Sequence, residues 1–206
     1  LNPQLKEILR YAYKKNVLLT ADNGANLNRA REDVLDALVR YKFRRLSCSI
    51  DGASQKTYSI YRVKGNFDNV IANIRTLNAF KKKYNSPYPL LQWQYVAFGH
   101  NEHEIVNARA MAEELGMKFY LKLNWDGLYT TAFSPVNDQE LIRRETGLGV
   151  ADRKEYEEKF GRHFAGPTCH QLWLAPRINF DGKLLGCSIN HWGNYGNVFE
   201  HGLSAC

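Results

Sequence analysis

The strongest constraint on the fold is a repeated switch between two hydrophobic periods. Leu5, Ile8, Leu9 and Ala12 recur at helical spacing, and the extended run Val17-Leu18-Leu19-Thr20 follows at once. A second helical stretch runs from Asn28 to about Tyr41, with Val34, Leu35, Leu38 and Val39 on one side, and Leu46 to Ile50 reads as a strand. The third helix is the plainest: Asn66 is placed to cap it, and Phe67, Val70, Ile71, Ile74 and Leu77 share its inner face. Leu90 to Phe98 is extended again. Asn101 and Glu104 form a capping-box spacing before Ile105, Ala108, Ala112 and Leu115, Gly116 stops that helix, and Lys118 to Leu123 is a fourth strand.

Four strands separated by helices predict an α/β fold with a parallel sheet and right-handed crossovers. Four are too few for a closed barrel, which takes about eight. A slice of a larger β/α barrel fits, and a small doubly wound open sheet is the alternative. After Leu123 the rhythm breaks. Residues 124 to 150 are rich in Asn, Gly, Thr and Pro, and predict a loop or linker with one helical turn around Glu140; a charged helix from Arg153 to Gly161 follows. The expected division is a β/α portion over 1–135, a linker with a short helix over 136–166, and a small β-hairpin domain beginning at 167.

That hairpin is CHQLWLAPRINFDGKLLGC, residues 169 to 187, two apolar runs turning at Asp181-Gly182. Cys169 and Cys187 sit at its outer ends and either bridge or point together at something else. With 4 Cys in 206 residues, the chain does not look like a secreted disulfide framework, which favours a reducing, cytoplasmic setting and a metal site. Thiolates select zinc or iron–sulfur clusters, and His170 and His191 are near enough in sequence to complete a zinc site. No run of about 18 apolar residues is present to span a membrane. The net charge of +7 raises nucleic acid as a partner, but the basic residues spread along helices, and Lys81-Lys82-Lys83 suits a helix C-terminus.

In β/α folds ligands gather at the C-terminal ends of strands. Thr20 and Asp22 share a face near one such end. Ser47, Ser49 and Asp51 share one face of the second strand, with Leu46, Cys48 and Ile50 on the other. Asp51-Gly52 serves equally as a plain turn, and Cys48 reads as a small core residue. Gln92 and Gln94 share a face of the third strand; Lys122, Asn124 and Asp126 share one after the fourth. His100 and His103 flank a helix start and read as exposed loop residues.

Taken in order, the Asn-Gly turn, SIDGASQKTYSIYRVKGNFDNVIANI and FGHNEHEI resemble the later half of the radical S-adenosylmethionine barrel. The spacing Cys169, twelve residues, Gly182, four residues, Cys187, followed by GNVFEHGL, is similar to the opening of a SPASM domain. The resemblance implies the later part of a partial (β/α)6 TIM-like barrel with a SPASM-like hairpin extension. It implies a 4Fe–4S enzyme that cleaves S-adenosylmethionine to a 5′-deoxyadenosyl radical and modifies a peptide, protein or small molecule. An electron donor such as flavodoxin or ferredoxin is implied as partner. Ser49 and Asp51, Thr20 and Asp22 nearby, and Arg62 in the Tyr-Arg segment are the implied cofactor contacts. Cys169 and Cys187 are the implied ligands of an auxiliary cluster. The family's Cys-x3-Cys-x2-Cys and Gly-Gly-Glu motifs are expected upstream of residue 1, and further SPASM cysteines beyond Cys206. This stretch alone is then expected to be inactive. The rival from another class is a zinc-stapled α/β binding module, with nucleic acid as the partner its net charge would suit.

Overall fold

The computed structural model describes residues 3–124, 136–164, 177–186 and 193–205. The chain divides into two compact units, 1–159 and 160–206.

In the first unit, four parallel strands pair in chain order: β1 (Thr20–Ala25), β2 (Arg45–Ser49), β3 (Leu90–Val96) and β4 (Lys118–Lys122). Helices α1 (Leu5–Lys14), α2 (Glu32–Arg40), α3 (Gln55–Tyr61), α4 (Phe67–Lys83) and α5 (Ile105–Glu114) surround and connect them, and α6 (Gln139–Thr146) and α7 (Arg153–Phe160) follow β4.

Strand alternation gives the sheet two unlike faces. Ser49 lies opposite Gln94, and Gln94 opposite Tyr120, while Cys48 lies opposite Trp93 and Trp93 opposite Phe119. The second row belongs to the core. Leu46, Cys48, Leu91, Trp93, Tyr95 and Leu121 are buried there, and Phe67 at the start of α4 packs its ring 6.4 Å from that of Trp93. The helix α4 forms as the sequence predicts. Asn66 caps it by accepting from Asn69 N–H, and Phe67, Val70, Ile71, Ile74 and Leu77 are all buried.

Several boundaries differ from those expected. The first strand is Thr20–Ala25, not Val17–Thr20, and Val17 and Leu18 stay exposed. Its register against β2 shifts between Ala21 and Ala25, a bulge that fits Gly24 at φ +99°. Helix α3, which no apolar stripe announces, is nucleated by Ser54, whose hydroxyl accepts from Thr57 N–H. The Asn101/Glu104 spacing is not a capping box: residues 102–104 form a 3-10 turn before α5, and both side chains are used elsewhere. Helix α6 spans eight residues, more than one turn, capped by Asp138 and stopped by Gly147 at φ +70°.

In the second unit, β5 (Arg177–Ile178) pairs antiparallel with β6 (Leu184–Leu185) across a turn containing Asp181-Gly182. Asp181 accepts from Lys183 N–H and Asn179 Nδ2, and Gly182 adopts φ +85°. A Cβ at Gly182 would stand 2.1 Å from Asn197 Oδ1, and Asn197 in turn caps the short helix α8 (Val198–His201). The expected hairpin turn is therefore present. Cys169, Cys187, Cys206, His170 and His191 lie outside the described residues.

Candidate functional site

A cavity of about 250 Å³ opens at the C-terminal ends of the four parallel strands. Its walls come from all four strands, from Tyr61 and Arg62 at the end of α3, and from Leu123 just after β4. Gly24 brings the backbone of β1 against β2 so closely that a Cβ there would meet Ser49 Oγ at 2.0 Å. Ser49 and Gln94 are opposite one another in register, and Lys122 stands two pairs further on, opposite Val96. Arg62, at the end of α3, closes the rim with Tyr61.

The polar groups fall into two sets. The first set is spent on scaffolding. Asp51 is fully buried; its Oδ2 accepts from Arg62 Nε at 2.6 Å and its Oδ1 from Val96 N–H at 2.7 Å. Burial pushes the Asp51 carboxyl up, and the Arg62 guanidinium and the Val96 N–H pull against it. Arg62 also lies over the Tyr61 ring at 4.8 Å, so its guanidinium is fixed from two sides. Asn101, fully buried, donates to Asp51 O and Val96 O and accepts from Phe98 N–H. Glu104 accepts from Ala53 N–H and Ser54 Oγ, both at 2.6 Å. Burial alone would raise the Glu104 carboxyl, but Ser54, Ala53 and Thr57 hold it below the usual value. The loop after β2 is thus bolted to the start of α5. Gly52 permits this, since a Cβ there would stand 2.6 Å from Tyr58 N.

The second set is unspent. Among the described residues, the Ser49 hydroxyl, the Gln94 amide and the Lys122 ammonium make no hydrogen bond, and all three line the cavity. Lys122 is held below the usual lysine value by burial and by the charge of Arg153, against the pull of Asp51. A hydroxyl, an amide and two cations around one small space suit a ligand bearing a carboxylate and hydroxyls.

The residues expected from sequence are only partly brought together. Ser49 and Arg62 line the cavity, and Asp51 stands behind it as the anchor of Arg62. Thr20 and Asp22 are elsewhere. Thr20 pairs with Arg45 at the start of the strands, four residues before Ser49 on β2, or about 13 Å along the strand. Asp22 takes a bond from Thr20 Oγ1 and two from Arg45, whose guanidinium holds its carboxyl below the ordinary range. Gln94 and Lys122 share their faces with other polar residues in the sequence, which is the signal that marks them. Gly24 carries no signal beyond the Asn-Gly turn. Asn124 donates to Ala97 O; Asp126 lies outside the described residues.

Cys48 is a core thiol on the opposite face, fully buried, its pKa pushed up to about 12 by that burial. His103 is exposed, whereas His100 is half-buried and stacks on Phe98 with ring centroids 5.4 Å apart. No cluster of three His, Cys, Asp or Glu side chains suited to a metal occurs among the described residues. No helix among them is long and apolar enough to cross a membrane.

No family model and no curated protein matches the sequence. Among solved structures, the chain is similar to SuiB from Streptococcus suis, with a TM-score of 0.60 and 14% identity. The match covers 96% of this chain and 50% of that one, so the chain spans about half the length of SuiB. At this identity the likeness is one of fold, an α/β fold related to that of SuiB.

Proposed function

We propose that this chain is part of a radical S-adenosylmethionine enzyme with a SPASM-type extension, and that the cavity receives the polar end of the cofactor. The observation that carries this reading is the convergence of Ser49, Gln94, Arg62 and Lys122 at the C-terminal ends of parallel strands. Strand order supports the barrel form over the doubly wound one. The four strands follow chain order without reversal, whereas a doubly wound sheet reverses at its switch point. The motif order in the sequence and the fold shared with SuiB agree with it.

S-adenosylmethionine fits the donor set in kind. Its carboxylate suits Arg62 and Lys122, and its ribose hydroxyls suit Ser49 and Gln94. A space of about 250 Å³ takes the polar portion and leaves the remainder to lie outside it. Bound together, the cofactor and a 4Fe–4S cluster would supply a 5′-deoxyadenosyl radical. The protein's own part is positional. Asp51 keeps Arg62 correctly aimed, Lys122 adds a second cation, and the close approach at Gly24 leaves the Ser49 hydroxyl presented to the ligand. Cys169 and Cys187 are the proposed thiolate ligands of an auxiliary cluster. The substrate is a peptide, protein or small molecule, and a flavodoxin or ferredoxin is the proposed electron donor.

The test is calorimetric titration of S-adenosylmethionine into the full-length enzyme. Losing one neutral hydrogen bond costs about 0.5–1.5 kcal/mol, so Ser49→Ala should weaken binding several-fold, up to roughly tenfold. Cys48→Ala, on the opposite face, should leave affinity unchanged. The reverse order would overturn the site.

A further inference from the structure

Beside the cavity lies a second, larger hollow of about 560 Å³ whose lining is charged in one sense only. Arg29, Arg31 and Lys64 line it, together with Asn26, Asn28, Val34 and Val63, and among the described residues no carboxylate does. The two hollows are neighbours along the chain: Asn26 follows Gly24 by two residues, and Lys64 follows Arg62 by two. We propose that this hollow is the docking site for an acidic peptide segment, which the mouth of the barrel would receive as substrate. The identification of that peptide as substrate rests on the function proposed above.

Three observations carry it. First, the cations are available. Arg31 is shared with Asp33, but among the described residues the side chains of Arg29 and Lys64 have no hydrogen-bonded or ion-paired partner. Second, the walls are rigid. Asn28 Oδ1 accepts from Asn66 N–H at 3.0 Å, Asn28 Nδ2 donates to Lys64 O, and Asn73 Nδ2 donates to Leu27 O at 2.7 Å. Asn26 accepts from Asn28 N–H in the same lattice. These bonds hold Lys64 at φ +63°, where a residue with a side chain seldom rests unless its surroundings fix it. Two loops pinned in this way lose little entropy on binding. Third, the lining selects the class of partner. The hollow is larger than one small anion needs, and Val34 and Val63 offer apolar contact between the cationic points. Among the described residues no aromatic side chain lines it, so they offer no stacking platform of the kind single-stranded nucleic acid uses.

The experiment is fluorescence anisotropy of a labelled oligoglutamate peptide with the full chain, at low and at physiological salt. Exposed charge pairs are worth about 0.2–1 kcal/mol, so Arg29→Gln and Lys64→Asn should each weaken binding about threefold, and together about tenfold. Asn tolerates the left-handed backbone that Lys64 adopts, which protects the loop in that variant. Arg75→Gln removes the same charge from an exposed position on α4 outside the hollow, and should leave the affinity unchanged. An equal loss in all three variants would mean a net-charge effect and overturn the proposal. So would tighter binding of a single-stranded oligonucleotide, or displacement of the peptide by inorganic phosphate at matched charge concentration. Peptide binding that persists while S-adenosylmethionine fails to bind would refute the proposed function and leave this site standing.

Discussion

The Asp51–Arg62 pair fixes the cation at the rim of the cavity, and its removal has a calculable cost. Asp51 is fully buried, while Arg62 is 30% exposed. The carboxylate takes charge-assisted bonds from Arg62 Nε and from Val96 N–H, at 2.6 and 2.7 Å. Breaking a buried pair by removing one partner costs about 3–5 kcal/mol when the other charge is stranded. Here Arg62 can recover some water, so Asp51→Ala should sit at the lower end, about 3 kcal/mol, with the orphaned Val96 N–H included. The measurement is urea unfolding followed by far-UV circular dichroism, with the slope against denaturant unchanged. In a chain already carrying Arg62→Met, Asp51→Ala should cost less by about 1–2 kcal/mol, the coupling expected of neighbours in contact. A loss below about 1 kcal/mol in the wild-type background, or additive losses in the double variant, would refute the assignment of a buried network.

Three further outcomes follow from the same geometry. Gly24→Ala should destabilise the fold by about 1–3 kcal/mol and abolish measurable S-adenosylmethionine binding, because φ is +99° and the new Cβ would meet Ser49 Oγ; calorimetry and urea titration read both effects. Affinity for the cofactor carboxylate should fall as pH rises through the Lys122 pKa, since only the protonated amine attracts an anion. Because burial holds that pKa below the usual lysine value, the fall should begin at lower pH than for an exposed lysine and vanish in Lys122→Met. Cys48 should resist iodoacetamide in the folded chain, given a buried thiol with its pKa raised to about 12, and should label on unfolding in urea; peptide mapping by mass spectrometry distinguishes it from the other cysteines.

The parts of the fold legible in the sequence are those where local and tertiary preferences agree. The helix α4 is one: its cap, its apolar stripe and its basic end all point the same way. The alternation of Ser47 and Ser49 against Leu46 and Cys48 likewise survives as the two faces of β2. Where tertiary contacts decide, the sequence misleads. After Thr20, β1 has no β-branched or aromatic residue of the kind that favours a strand, and it is one because β2 captures it in parallel register. Val17 and Leu18 have the right composition and no partner strand. Helix α3 buries only Thr57 and Tyr58, too few for a visible stripe. Asn101 matches a cap by spacing, yet three groups from Asp51, Val96 and Phe98 compete for its amide and win. At the site, polar side chains on alternating positions marked Ser49, Gln94 and Lys122. The register that separates Thr20 and Asp22 from them exists only in the folded sheet.

Because spatial order follows chain order, the sheet can assemble by accretion from its N-terminal side. Each new strand meets a neighbour that has already been made, across 25 residues between Ala21 and Leu46, 45 between Cys48 and Trp93, and 26 between Trp93 and Phe119. Loop-closure entropy grows only as the logarithm of these lengths, so the dearest pairing exceeds the cheapest by about 0.5 kcal/mol. Among the four described strands, growth during synthesis therefore meets three nearly equal steps. The mouth, whose walls come from all four strands, is the last feature of this sheet to be completed.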